Sequence, residues 1–141
     1  MDVRRVDSEA EMADALTVRR EVFIEEQGVP EDLEIDGKDE EAIHFVAYSG
    51  GDAVGAARLR EHDEAAAKVE RVAVVEDERE TGLGRAIMDT VEDAARAEGY
   101  ESVLLHAQAP VIGFYETLGY EITSDEFEEA GIPHREMRKS L

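Results

Sequence analysis

The hydrophobic positions of this chain change period several times, and each change predicts an element. Val3 and Val6 mark a short strand, and Ser8-Glu9-Ala10-Glu11 has the form of a capping box. Met12, Leu16, Arg19 and Phe23 then fall near one helical face, and Gly28 and Pro30 end the helix. Residues 25–39 are acidic, rich in turn formers and without a clear period, which predicts a loop or a short helix. Ile43 to Tyr48 and Ala53 to Leu59 flank Ser49-Gly50-Gly51-Asp52, a hairpin signal. Glu61 to Ala67 reads as a polar, alanine-rich connection.

The centre of the pattern is the stretch from Glu70 to Glu98. A strand, Glu70 to Val75, leads through Arg79-Glu80-Thr81-Gly82-Leu83-Gly84 into a helix whose Leu83, Ile87, Val91, Ala94 and Ala95 share one face. Gly99 stops that helix, and Ser102 to Ala107 forms a further apolar strand. Strand, helix and strand in this order predict a parallel pair joined by a crossover. Pro110 opens a helix to Leu118, which Gly119 ends, and Glu121 to Phe127 and Ile132 to Arg138 close the chain as two strands. One domain over residues 1–141 is the expectation.

A strand that enters a helix through glycines leaves backbone N–H groups free to face an anion, and the helix dipole adds positive potential. Phosphate is the natural guest of Arg79-x-x-Gly82-x-Gly84. No Gly-Lys-Ser/Thr follows, so this is not a Walker loop, and the glycine spacing differs from a dinucleotide fingerprint.

Charge changes the picture more than length does. The chain carries 36 acidic and 15 basic residues, a net charge of −21, spread along its length. Such a surface disfavours nucleic acid as a partner and resembles the proteins of salt-accumulating halophiles, in which ~1 M salt shortens the screening length to about 3 Å. Cysteine is absent, which removes disulfides, thiolate nucleophiles and cysteine metal sites. No run of about 18 apolar residues and no apolar-cored leader stands out, so a membrane span is not expected and the cytoplasm is the expected location. Histidines lack metal-ligand spacing, and no metal site is predicted.

The run from Glu70 to Arg85, followed by Phe114-Tyr115-Glu116-Thr117-Leu118-Gly119-Tyr120, resembles the GNAT superfamily of N-acetyltransferases. The segment from Arg20 to Asp36, with Val22-Phe23, Glu26-Gln27-Gly28-Val29 and Glu34-Ile35-Asp36, is similar to a small branch of that family whose substrates are mostly unassigned. The resemblance implies an α/β (α+β) GNAT fold: a mixed, twisted central sheet with two splayed parallel strands and helices on both faces. It also implies acetyl-coenzyme A (acetyl-CoA) as cosubstrate, lying between the Glu70 to Val75 and Ser102 to Ala107 strands.

Carried over residue by residue, the resemblance assigns Val72, Ala73 and Val74 to the pantetheine arm, with a backbone N–H near Val74 polarising the thioester carbonyl. Arg79, Glu80, Thr81, Gly82, Leu83, Gly84 and Arg85 would form the pyrophosphate turn. Tyr115 stands where the family places the group that protonates the leaving thiolate, and a phenol with pKa near 10 suits that role. Gln108 replaces the asparagine common in relatives seven residues before the tyrosine.

Two residues compete for the general base. Glu70 alternates to the face of Val72 and Val74 in a regular strand, and desolvation would raise its pKa. An acid used by some relatives on the following strand is replaced here by Val103. His106 alternates with Gln108 near the end of its strand and is better placed than His44 or His134. The acidic segment offers Glu25, Glu26, Glu31, Asp32, Glu34 and Asp36 to a cationic amine, on a small molecule or a protein. A non-catalytic acyl-CoA sensor and a transferase of longer acyl groups are the alternative readings. A homodimer through Phe127, Ile132 and Met137 is compatible with the closing strands.

Overall fold

The computed structural model describes all 141 residues. Strand β1 (Asp2–Arg5) leads to α1 (Glu9–Arg19), whose first turn is capped by Ser8 Oγ accepting from the Glu11 N–H at 3.1 Å. The Glu11 carboxylate reaches back to the Asp7 N–H at 2.9 Å, one residue earlier than the standard box. The helix does not stop at Arg19 but widens into a π-helical segment, Arg20–Glu26. Such widened turns collect at functional places. A four-residue helix α2 (Glu31–Glu34) and a 3-10 turn at Asp39–Glu41 occupy the segment read as loop.

Strands β2 (Ile43–Ser49), β3 (Asp52–Glu61) and β4 (Ala66–Val74) form an antiparallel meander. The expected connection at 61–67 is mostly strand. Its turn is confined to His62–Ala65, because the Asp63 carboxylate accepts from the Ala65 and Ala66 N–H groups at 2.9 and 2.8 Å and closes the chain tightly. Helix α3 (Leu83–Ala97) then carries the chain to β5 (Ser102–Gln108), and α4 (Ile112–Thr117) follows it. The closing strands are β6 (Glu121–Ile122), β7 (Phe127–Glu129) and β8 (Ile132–Ser140). Thr123 to Glu126 therefore interrupts what the sequence pattern presents as one strand.

The sheet runs β1-β2-β3-β4-β5-β8-β6, with β7 also on β8, and only β4 and β5 are parallel. This is the mixed sheet expected, with helices on both faces. On one face α3 and α4 pack through Leu83, Ile87, Met88, Val91, Tyr115 and Leu118. On the other, Ala15, Val18 and Val22 of α1 and its extension meet Val46, Ala56 and Ala73. Met137, considered for a subunit contact, is fully buried in the larger core.

Gly55 sets how closely α3 approaches the sheet. A Cβ there would lie 2.7 Å from Ile87 Cδ1 and 3.1 Å from Ala47 Cβ, and both neighbours are fully packed. Gly55→Ala is expected to destabilise the fold by about 1–3 kcal/mol through overpacking, measured as a lower thermal midpoint.

Candidate functional site

The two parallel strands pair only from Ala66 to Val69 and from Ser102 to Leu105. Glu70 and His106 are the first residues beyond the last pair, so they flank the apex of an opening between the strands. Past that point the β4 edge facing β5 has no strand partner. On its other edge Val75 donates to the Val54 carbonyl at 3.0 Å. Strand alternation then turns the N–H and C=O of Val74 toward the opening. The Val74 carbonyl accepts there from Arg79 Nε at 3.0 Å, which leaves its N–H directed into the gap.

A bulge re-aims β4 at the same place. Ala56 pairs with Ala73 and Arg58 with Glu70, so Arg71 and Val72 together oppose Ala57, and Arg71 has φ 56°. Ala67 and Val69 belong to the α3 side before the bulge, Val72 and Val74 pack on it after, and Ala73 joins the α1 side. The expectation that Glu70 shares a face with Val72 and Val74 is therefore corrected. The bulge inverts the alternation between them.

Glu70 also lacks the environment of a base. Its carboxylate accepts from Arg58 at 2.9 Å and from Arg60 at 2.5 Å, with the Lys68 ammonium at 3.4 Å. Burial pulls its pKa upward, but the Arg60 bond and the charges of Arg58 and Lys68 prevail and hold it at about 2. The expected rise toward neutrality is reversed. A carboxylate that prefers its charge so strongly is a poor proton acceptor.

Glu70 is one corner of a buried ion network. Arg58, 0% exposed, also donates to Asp36 and Asp39 at 2.9–3.0 Å. Arg19 forks onto Glu34 at 3.0 and 3.2 Å and reaches Asp39 at 2.9 Å, while Arg71 lies 2.8 Å from Glu34 and 3.3 Å from Asp36. His44 bonds the Asp39 carbonyl through Nε2 at 2.8 Å. Glu34 and Asp36, offered by the sequence to a cationic acceptor, are thus consumed in fastening the segment after α1 to the sheet. Glu31 pairs with Arg20 and Glu26 with Arg79. Glu25 and Asp32 alone of the six make no ion pair.

The glycine turn that enters α3 is open at the helix terminus, with one departure from the expected arrangement of its residues. Gly82 precedes the first turn of α3 with φ 89°, no side chain caps the helix, and no acid lies in its first turn. The leading N–H groups of a 15-residue helix are left bare and uncompensated. Glu80 takes φ 65°, and the Thr81 hydroxyl donates to the Glu78 carbonyl at 2.6 Å, so the turn is held from within. Gly84 serves a different need: a Cβ there would meet the Phe114 ring at 3.1 Å. That close approach joins the glycine turn to α4. The departure is Arg79, whose guanidinium forks onto Glu26 with two bonds of 2.7 Å. Arg85 makes no ion pair and is the exposed cation beside the helix terminus.

Tyr115 lies on α4, 7% exposed, between the rings of Phe114 and Tyr120 at 5.1 and 5.8 Å. Its hydroxyl has no protein hydrogen-bond partner, and burial pushes its pKa above the usual phenol range. It stays protonated.

At the far side of the opening Gln108 exchanges amide hydrogen bonds with Gln27, at 2.9 and 3.3 Å. The π-helical segment and Gln27 thus span the gap, tied to the glycine turn by Glu26 and to β5 by Gln27. His106 alternates to the face of Gln108, and its Nδ1 lies 3.2 Å from Glu129 of β7. Phe127 meets the imidazole edge-on at 4.9 Å. His134 is buried, bonded through Nδ1 to the Ile132 carbonyl at 2.7 Å. Sequence reasoning missed Glu129. No spacing signals it, because the β7–β8 hairpin brings it 23 positions back to β5.

A GNAT acetyltransferase domain model matches residues 6–141. The chain belongs to the GNAT family. It is 42% identical over 133 residues to the uncharacterized N-acetyltransferase YjcF of Bacillus subtilis (strain 168), covering 94% of each protein. An acyl-CoA N-acyltransferase from Pseudomonas aeruginosa superposes with a TM-score of 0.85 at 28% identity, over 98% of each chain. A GNAT family acetyltransferase from Elizabethkingia anophelis, solved with acetyl-CoA bound, gives 0.76 at 15% identity over 99% of this chain and 97% of that one. The mixed sheet with its parallel β4–β5 pair is accordingly the GNAT sheet. No helix is long and apolar enough to cross a membrane.

Proposed function

We propose that this GNAT domain transfers an acetyl group from acetyl-CoA directly to a primary amine of a small molecule or protein. The observation that carries the reading is the parting of β4 from β5 at Val69 and Leu105, with a bare helix terminus at one end of the gap and a protonated, unpartnered tyrosine packed against it through Phe114. An extended pantetheine arm can lie along the open β4 edge, where Val72 to Val74 supply main-chain groups. The pyrophosphate then rests on the N–H groups from Gly82 to Arg85, with Glu80 and Thr81 shaping the turn and Arg85 supplying charge. Arg79 acts from behind the turn as a clasp to Glu26.

The bound cosubstrate supplies an electrophilic thioester carbonyl and a thiolate leaving group. The Val74 N–H, fixed in direction, stabilises the charge that develops on the carbonyl oxygen. His106 takes the proton that the amine nitrogen loses as its C–N bond forms. Tyr115 gives its proton to the sulfur as the C–S bond breaks and regains one from solvent. Gln108 and Gln27 border the acceptor side. No enzyme nucleophile is required.

The locked state of Glu70 favours one rival, an acyl-CoA-binding module without a working base. The two readings separate in an assay of thiol release from acetyl-CoA across a panel of amines in multimolar KCl. A chain without cysteine contributes no thiol of its own. Release that depends on a particular amine, and falls at least about tenfold in His106→Ala, is the expected result. Coenzyme binding with no amine-dependent release would leave the sensor reading.

A further inference from the structure

We propose that Glu129 is a positioning residue for His106, setting the tautomer in which Nε2 is free to accept the proton of the incoming amine. The inference rests on the acetyl-transfer reading and deepens it by completing the base. A carboxylate only accepts, so the 3.2 Å contact of His106 Nδ1 with Glu129 Oε1 requires the proton on Nδ1. The lone pair of the neutral ring is then on Nε2. In water a neutral imidazole prefers the opposite arrangement, so the carboxylate determines which nitrogen can act.

The surroundings separate His106 from the other imidazole near Glu129. His134 Nε2 is 3.8 Å from Glu129 Oε2, but its Nδ1 donates to the Ile132 carbonyl, so its neutral ring has no proton to offer Glu129. It is also buried, stacked beside Phe127 at 6.1 Å. His106 is 22% exposed and sits on β5 one residue past the last pair with β4. Phe127 closes one side of its ring at 4.9 Å, which restrains its rotation. The charged groups around it are Glu129 on β7, Glu136 on β8 at 4.0 Å from Nε2, His134, and Lys68 on β4, whose charge is felt at Glu129. The His106 bond holds the Glu129 carboxyl below its usual range, so the acceptor is ionised wherever the enzyme works. Glu129 is 49% exposed at a hairpin end, a place where substitution leaves the core intact.

The test pairs a tautomer measurement with kinetics. Long-range proton–nitrogen NMR of the imidazoles in the whole protein is expected to show His106 as the Nδ1–H form. In Glu129→Ala it should revert to the Nε2–H form, and kcat/KM for the amine should fall by about tenfold or more while the KM for acetyl-CoA stays unchanged. Glu129→Gln keeps an acceptor oxygen but loses the charge. It is expected to keep the tautomer and recover part of the rate, with the acidic limb of kcat/KM moved to lower pH. An Nε2–H His106 in the unmutated protein overturns the proposal, and so does full activity in Glu129→Ala. If the unmutated protein releases no thiol with any amine, the acetyl-transfer reading fails, and the tautomer measurement still decides whether Glu129 sets the ring.

Discussion

Arg58→Met is expected to destabilise the protein by about 3–5 kcal/mol, lowering its thermal midpoint by roughly 10 °C. The guanidinium is fully buried and is shared by Asp36, Asp39 and Glu70, which come from the segment after α1 and from β4. Methionine fills much of the volume of the stem but removes the one cation that Asp36, Asp39 and Glu70 share, leaving three clustered carboxylates with only Arg71, Arg19 and Arg60 on their outer sides. Breaking a buried ion pair from one side costs far more than the pair contributes relative to an apolar replacement, because an uncompensated charge remains. The remaining partners cannot take over, since Arg19, Arg60 and Arg71 are already committed. Unfolding in multimolar KCl is the proper measurement, as salt relieves the general repulsion of −21 charges while screening buried contacts much less. The same network fixes the acid limb of stability. Glu70 has a depressed pKa in the folded chain, so its contribution is complete above the unfolded value near 4.5 and is lost as pH falls toward about 2. Asp36, held low chiefly by its Arg58 bond, acts in the same direction. The mutant should lose most of the Asp36 part of this pH dependence and keep much of the Glu70 part, which the Arg60 bond sustains. A loss below 1 kcal/mol would mean that the segment docks by other contacts.

This network also shows where sequence reasoning stops. Local signals were legible: the Ser8 cap, the Gly50-Gly51 turn, the helical stripe from Leu83 to Ala95 and the glycine stop at Gly99 each depend on a few neighbouring residues. The parallel pair followed from strand, helix and strand in series, and the opening between the two strands from the family resemblance. The roles of individual charges did not, because their partners lie far along the chain. Arg71 meets Glu34 from 37 positions away, Arg79 meets Glu26 from 53 and Gln108 meets Gln27 from 81. In an acidic chain every carboxylate looks solvated until its partner is known. The bulge at Arg71 was invisible for a different reason, since arginine at φ 56° has no compositional signature. That one inserted residue moves Glu70 to the other face and removes the first candidate for the base.

Tyr115→Phe is expected to lower kcat for acetyl transfer by about 100-fold or more while leaving the fold and the affinity for acetyl-CoA nearly unchanged. The separation of effects follows from the hydroxyl having no protein partner. Removing a hydroxyl that bonds a buried group would leave that group unsatisfied and cost stability. Here nothing is orphaned, and the phenylalanine ring can keep the edge-on contacts with Phe114 and Tyr120. A tyrosine retained only for packing would lose nothing catalytic on this change. The pH behaviour is a second discriminant. Burial raises the phenol pKa, so Tyr115 is protonated throughout the neutral and mildly alkaline range, and its loss should lower the rate evenly there rather than shift a limb of the profile. The Glu129 variants shift the acidic limb, so the two ends of the proton path are separable in one set of pH–rate curves. Because the leaving thiolate is stabilised only as the C–S bond breaks, the defect should also shrink for an acyl donor whose thiol is more acidic. Stopped single-turnover measurements with matched thioesters would read that difference directly, and a defect independent of the leaving group would place Tyr115 outside the proton transfer to sulfur.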